Sequence, residues 1–447
     1  MADSQPFGKA VSRALRGVAP VKVVLLGYLA CIVIGWILLA LPFAQAEPGT
    51  SGLDHLFIAT SAVSTTGLAT VSPSGTYSLF GELVILLLIQ IGGIGYMTLG
   101  SFIVLVKGQS ISASSERLLE SDLAMPRTFV LDEFVRGVVL FTLAFEVIGT
   151  LALWALFAQE GVPNAGYQAL FHSVSAFCTA GFSLFDTSLE AFASNVGVNV
   201  VVAVLAYLGA IGFIVAVDAW RVSIGRQEHL TFTSRIILRL TLLLTIVGTA
   251  GLFLTEQSAL AEAPAQRLLE SFFQAMTAMT TVGFNTAPIG AISQGAMVVV
   301  LLLMIVGASP SGTGGGVKTT TLSAVYAVMR SVLQGDREIT FWRRRVPASR
   351  VTAATASFAF YAVVLGAGIF LLSLTETATF DVLVFEATSA LGTVGLSMGV
   401  TGDLTALGKL VIILLMFAGR LGPLSFGSAL FLRDEETDSE GEADVVL

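Results

Sequence analysis

Four stretches of this chain place oxygen-bearing residues and a glycine in one pattern: Phe, three residues, Ser or Thr, Ala, two residues, Thr, any residue, Gly. They are Phe57-Ser61-Ala62-Thr65-Gly67, Phe171-Ser175-Ala176-Thr179-Gly181, Phe273-Thr277-Ala278-Thr281-Gly283 and Phe385-Ser389-Ala390-Thr393-Gly395. The chemistry such turns offer is cation coordination. Carbonyl and hydroxyl oxygens replace the hydration shell of a monovalent ion when they converge from several sides, and glycine lets the backbone turn away tightly after presenting them. Recurrence at roughly 100 to 115 residues describes one unit copied four times. Four unrelated helix ends would also supply Thr-x-Gly, but not five matched positions in every copy.

These turns need a membrane-embedded frame. The 447 residues are 55% hydrophobic and only 12% charged, with mean hydropathy +0.85, a composition that excludes a water-soluble globule. The expected fold class is an all-α integral membrane protein: four repeats of outer helix, pore half-helix and inner helix around a central ion pore, with eight spanning helices. Outer helices are expected at about 21–43, 134–158, 235–254 and 351–374, and inner helices at about 79–106, 196–220, 291–329 and 407–432. Between them, each pattern ends a segment of about 12 to 14 residues, too short to cross and therefore read as re-entrant. The organisation is thus a cytoplasmic N-terminal segment 1–20, repeats at 21–106, 131–226, 235–345 and 351–432, and an acidic tail 433–447. The first apolar run follows Lys9, Arg13 and Arg16 without a small-residue cleavage site, so it reads as a retained helix.

Charge sets the orientation. Thirteen basic residues, among them Arg117, Arg127, Arg221, Arg226, Arg337 and Arg343 to Arg345, fall in or beside the inter-unit segments, which with both termini are expected to be cytoplasmic. Opposite them lie Glu47, Asp54, Glu160, Asp186, Glu190, Glu256, Glu262, Glu376, Asp381 and Asp403, a negative outer mouth for cations. Only Arg267 and Lys409 join that side. The net charge of −8 is concentrated in the tail from Asp434. Cys31 and Cys178 read as small packing residues, and the three histidines have no ligand spacing.

A half-helix that stops mid-membrane points its free carbonyls and negative dipole end at the axis. Ser64, Thr65, Thr66 and Gly67, Cys178, Thr179, Ala180 and Gly181, Thr280, Thr281, Val282 and Gly283, and Gly392, Thr393, Val394 and Gly395 are the candidate selectivity-filter residues. The position after each pattern threonine varies from Thr to Ala to Val, which backbone coordination permits. Asp54 and Asp381 sit where a carboxylate caps a helix start or attracts cations. The four phenylalanines are expected to wedge the half-helices into place.

These repeats resemble the Trk/Ktr/HKT superfamily of potassium transporters, on Ser64-Thr65-Thr66-Gly67-Leu68, Cys178-Thr179-Ala180-Gly181-Phe182, Thr280-Thr281-Val282-Gly283-Phe284-Asn285-Thr286 and Gly392-Thr393-Val394-Gly395-Leu396. The resemblance covers about 21–432. In that family a glycine in every filter turn goes with potassium, whereas serine in the first goes with sodium permeation, so Gly67 implies potassium as the filter's ion. A sodium-permeable or weakly selective member is the alternative. The first span begins near Val21, like the eight-helix Ktr-type subunits. This implies a homodimer on a cytoplasmic ring of nucleotide-binding (KtrA-like) regulatory subunits, with nucleotide bound only through that partner and no covalent cofactor. The basic segments are candidate surfaces for that ring or for anionic membrane lipid; no nucleic-acid partner is expected.

The third inner helix is interrupted by the run 307–321, Gly307-Ala308-Ser309-Pro310-Ser311-Gly312-Thr313-Gly314-Gly315-Gly316-Val317-Lys318-Thr319-Thr320-Thr321. So much Gly and Pro cannot stay helical, and irregular backbone at membrane depth requires a protein-lined or watery cavity. A phosphate loop is excluded because Val317, not glycine, precedes Lys318. The resemblance implies a gate, with Gly312, Gly314, Gly315, Gly316, Lys318 and Arg420 as gate residues. Arg420 either projects beneath the filter as part of the barrier or snorkels to the cytoplasmic surface. Glu146 reads as a buried structural acceptor. A secondary active transporter is a distant alternative, since these units repeat in one orientation rather than as inverted halves. No nucleophile-base pair accompanies the spans, so no enzymatic activity is expected.

Overall fold

The computed structural model describes residues 20–107, 131–310, 312–336, 338–342 and 344–422. The N-terminal segment before Pro20, Arg117, Arg127, Arg337, Arg343, the expected end of the last inner helix and the acidic tail lie outside the described residues. The chain is mostly helical. Helix α1 (Pro20–Leu39) leads to α2 (Gly52–Val63) and α3 (Leu79–Lys107), then α4 (Leu131–Gln159), α5 (Ala165–Phe177), α6 (Val196–Ile211) and α7 (Phe213–Ser223). The second half has α8 (Phe232–Thr255), α9 (Pro264–Thr280), α10 (Gln294–Ile305) and α11 (Thr319–Gln334). A two-stranded hairpin (β1, Thr340–Phe341; β2, Arg344–Arg345), α12 (Ala348–Thr375), α13 (Phe380–Gly392) and α14 (Ala406–Leu421) follow. The hairpin has no counterpart in the sequence expectations; Arg239 stacks on Trp342 and Arg344 on Phe232 beside it.

Helix starts follow local capping chemistry. Ser51, Asn195, Thr231, Ser293 and Thr405 each accept a hydrogen bond from the amide three residues on, satisfying a donor that the first turn leaves free. Pro264 opens α9, where its missing N–H costs nothing.

Arg136–Gln159, Phe232–Thr255 and Ala348–Thr375 are each long and apolar enough to cross a membrane, and α6 with α7 forms a fourth such run that is bent by 98°. Their outward leucines and valines, such as Leu140, Val147, Leu242, Val363 and Leu374, are exposed. This apolar exterior belongs to a multi-pass membrane protein. The expected continuous inner helix 196–220 is therefore broken, at Gly212 with φ +89°. The physical cause lies in the interrupted third inner helix: Ser309 N and Oγ bond Ala210 O at 3.1 and 2.9 Å, and Thr313 N bonds Gly209 O at 3.0 Å. The carbonyls released by one broken helix are satisfied by the loop of another, as backbone at this depth demands.

The short helices α2, α5, α9 and α13 carry the repeated pattern. They have 12, 13, 17 and 13 residues, so the third exceeds the expected length. All end before the pattern glycine rather than at it. Phe57, Phe171, Phe273 and Phe385 are fully buried, and they interlock neighbouring units. Phe57 packs among Leu383, Ala387 and Leu391 of the fourth unit, and Phe385 among Ala278, Met279 and Leu303 of the third. Burying one such side chain contributes about 1.5–3 kcal/mol.

Candidate ion-coordinating site

Each pattern threonine leaves its helix in the left-handed region: φ is +51° at Thr65, +51° at Thr179, +60° at Thr281 and +48° at Thr393. A β-branched residue is strained there, and four copies of the same strain mark a built turn. The next amide folds back onto the half-helix in every copy. Thr66, Ala180, Val282 and Val394 donate to Ser61 O, Ser175 O, Thr277 O and Ser389 O at 2.9, 2.8, 3.1 and 2.8 Å. The pattern Ser supplies a second tether. Ser61 Oγ and Ser389 Oγ accept from Gly67 N and Gly395 N at 3.1 Å each, while Ser175 Oγ donates to Phe182 O at 2.8 Å. The pattern serines of the first, second and fourth units thus pin their turns, a role their spacing alone did not disclose, while the buried Thr277 hydroxyl of the third has no hydrogen-bond partner among the described residues.

The four turns close into a ring. A Cβ on Gly67 would lie 2.4 Å from Ala180 O, one on Gly181 2.5 Å from Val282 O, one on Gly283 2.2 Å from Val394 O, and one on Gly395 2.1 Å from Thr66 O. Each glycine therefore lies bare against the carbonyl of the following turn, and the fourth returns to the first. These glycines also have φ between +66° and +93°, so backbone angle and contact both exclude a side chain. Ser64, Cys178, Thr280 and Gly392, the last residues before the strained threonines, are brought to the same ring.

Directly against the threonines lies the loop between α10 and α11. Ile305 O accepts from Val317 N at 3.1 Å and pinches the base of the excursion. At its tip, Thr65 Oγ1 donates to Thr313 O at 3.4 Å and Thr179 Oγ1 to Thr313 Oγ1 at 3.0 Å. Gly314 and Gly315 meet the other two: a Cβ on them would be 2.2 Å from Thr281 Oγ1 and 2.3 Å from Thr393 Oγ1. One loop thereby touches all four turns. Gly312 packs against Ala210 O, and Gly316 takes φ +70° where the loop turns back.

Two cations hold the loop through its carbonyls. Lys318 Nζ donates to Gly314 O at 2.6 Å. Arg420, 6% exposed on α14, donates from Nη1 to Thr313 O, from Nη2 to Gly92 O and from Nε to Tyr28 Oη, which itself donates to Val63 O. Of the two readings of Arg420, the inward one is observed; the guanidinium fork ties the loop to α1 and α3. Glu146 is buried and accepts from Gln90 Nε2 at 3.1 Å and from Cys178 Sγ at 3.7 Å behind the second turn. Both cysteines are free thiols.

Several of the carboxylates expected at the outer mouth hold loops together. Asp54 Oδ1 pairs with Lys409 Nζ at 2.7 Å, with both side chains mostly buried, joining α2 to α14. Burial alone would raise the Asp54 carboxyl, but bonds from Lys409 and Ser51 hold it below its ordinary range. Glu256 is likewise pushed up by burial, yet amides of Ala259, Ser293 and Ser258 and the Ser258 hydroxyl bring it down to about 2. Asp186 accepts from Ser72 and Glu190 from Asn285, stapling loops of successive units. The charge of Asp54 is thus answered by its partner, Lys409.

Four half-helices whose turns close a ring, inside an apolar multi-helix shell, define a membrane cation-transport protein. The chain belongs to the family described as TrkH, cation transport protein, whose model matches residues 28–434. It is 36% identical over 414 residues to the Ktr system potassium uptake protein B of Bacillus subtilis, covering 91% of this chain and 92% of that protein. It is 33% identical over 438 residues to the potassium/sodium uptake protein NtpJ of Enterococcus hirae, covering 96% of each. The crystal structure of the potassium transporter TrkH from Vibrio parahaemolyticus shares the fold, with TM-score 0.71 at 21% identity over 91% of this chain and 84% of that one. The family expectation drawn from the four turn motifs is thereby established.

Proposed function

We propose that the chain carries potassium into the cell through the ring formed by its four turns, within four repeats comprising eight spanning helices and a central pore. The ring closure carries this reading: glycines 67, 181, 283 and 395 each abut the next turn's carbonyl. In this reading the oxygens of the four turns converge on one ion, as a dehydrated cation requires. Four half-helix carboxyl ends add their negative dipole ends at the same place. Potassium is favoured over sodium because every turn has glycine at the family's discriminating position, and because the B. subtilis relative bears the name of a potassium uptake protein. The potassium/sodium name of the E. hirae relative supports a less selective second reading.

In this proposal the loop 307–321 is the gate. It is seated against all four threonines, so ions cannot pass without its displacement, and Lys318 and Arg420 retain it. Opening is coupled to a cytoplasmic nucleotide-binding subunit beneath a homodimer, with both termini on that side. The support is the likeness to Ktr-system membrane proteins and the basic inter-unit segments. The test is potassium and sodium uptake by proteoliposomes containing the purified chain, with and without such a ring. Potassium-selective flux modified by the ring is expected. Equal sodium flux would favour the second reading, and absence of either flux would overturn the proposal.

A further inference from the structure

One residue after the pattern phenylalanine, the four units read Ile58, His172, Gln274 and Glu386. Periodicity assigns this position no role, and three of the four side chains are ones that membrane interiors normally exclude. All three are buried, and all three reach the chain that leaves the ring on the outer side. His172 Nε2 lies 2.9 Å from Ser183 Oγ, which accepts from Phe185 N at 2.9 Å. The other ring nitrogen, Nδ1, lies 2.7 Å from Gln168 O, so Nδ1 bears the proton and Nε2 accepts from Ser183. With its amide oxygen toward the same segment, Gln274 accepts from Thr286 N at 2.9 Å, Ala287 N at 3.0 Å and Thr286 Oγ1 at 3.3 Å. Glu386 accepts from Ser397 Oγ at 2.6 Å, Met398 N at 2.9 Å and Thr401 Oγ1 at 3.0 Å.

We propose that His172, Gln274 and Glu386 are positioning residues for selectivity, each bracing the outer strand of its turn so that the ring keeps a fixed diameter around the ion. The proposal rests on the filter reading above. The geometry supplies the reason: the half-helix grips its turn from behind through the amide bonded back to the pattern Ser/Thr carbonyl, and from the far side through this brace two to six residues beyond the glycine. A turn held at both ends resists collapse around a smaller ion. The chemistry at the position differs, imidazole, amide and carboxylate, while its hydrogen-bonding function is constant. The first unit has no such group, because Ile58 is apolar and fully buried, so that quadrant is braced least.

Since Gln274 performs the task in the third unit, glutamine is the natural conservative replacement in the others. The experiment compares potassium and sodium uptake for wild type, Glu386→Ala, Glu386→Gln, Ser397→Ala and His172→Gln in proteoliposomes, with melting temperature measured alongside. Loss of a buried hydrogen-bonded group corresponds to roughly a tenfold effect. Glu386→Ala is therefore expected to lower the potassium-to-sodium flux ratio about tenfold, with both glutamine variants within about threefold of wild type. A folded Glu386→Ala protein with the wild-type ratio would overturn the proposal. So would glutamine variants as unselective as the alanine variant, since a brace is rescued by its equivalent. Should Glu386→Ala fail to fold, Ser397→Ala decides, with a reduced ratio expected and an unchanged ratio overturning the brace. A wild-type protein without potassium preference would instead refute the filter reading, and the brace with it.

Discussion

Replacing Gly67 by serine perturbs the ring at one defined joint. The new Cβ would lie 2.4 Å from Ala180 O and 3.2 Å from Gly181 Cα, on backbone at φ +93°. Left-handed backbone costs an L-residue roughly 1–2 kcal/mol, and moving the second turn aside adds about 1–3 kcal/mol. The second contribution reports on the ring, so the two must be separated. Gly161 also has positive φ, +71°, but a Cβ there meets nothing within 4 Å. Gly161→Ser is therefore expected to show the backbone cost alone, as a lowered melting temperature with unchanged ion preference. Gly67→Ser is expected to reduce the potassium-to-sodium flux ratio about tenfold, equivalent to about 1.4 kcal/mol, measured in proteoliposomes with paired potassium and sodium uptake. A folded Gly67→Ser protein with wild-type preference would refute the ring argument. Equal loss of preference in both variants would do so too, because strain and not the joint would then be responsible.

Arg420→Gln removes the cation that anchors Thr313 O and Gly92 O, so basal potassium flux without a regulatory subunit is expected to rise several-fold; unchanged flux would place the barrier elsewhere. Shortening the loop by deleting Gly315 withdraws its contact with Thr393 and is expected to raise flux in the same assay. Lys409→Met leaves Asp54 without its ion-pair partner and is expected to destabilise the protein by about 3 kcal/mol. Thermal unfolding of the single variants and of Asp54→Asn with Lys409→Met would show the coupling, and additive losses would count against it. Glu256 titrates near 2 when folded against 4.5 for a free carboxyl. Its folded value is depressed, so its stabilisation is complete above about pH 4.5 and is lost as pH falls toward 2. Glu256→Gln is expected to flatten that acidic limb in a melting-temperature profile.

Much of the site was legible because its requirements are local. A turn that must leave a helix within three residues needs its own Thr and Gly, so the need is written beside each half-helix and repeats with it. The membrane setting, the four copies and the break at 307–321 follow in the same way, from hydropathy and from Gly and Pro content. The half-helix ends were misplaced by the sequence reading because glycine signals a left-handed residue, while here threonine takes that conformation two positions earlier. The threonines tolerate it because the bond from the next amide to the pattern Ser/Thr carbonyl, and the neighbouring turn, hold them there.

The sequence by itself determined that this is a membrane protein of four pattern-bearing units with a Gly-rich interruption, since composition and repeat are properties of neighbouring residues. Only the tertiary structure decided that the turns close on one another, that α6 breaks at Gly212 to give its carbonyls to Ser309 and Thr313, and that Lys409 answers Asp54 across the chain. Arg420's choice of Thr313 O over the surface was settled there as well. The physical reason is the range of the interactions: a cap or a turn is satisfied within a few residues, whereas a buried charge or a freed carbonyl takes whichever partner folding brings to it, here often hundreds of residues away.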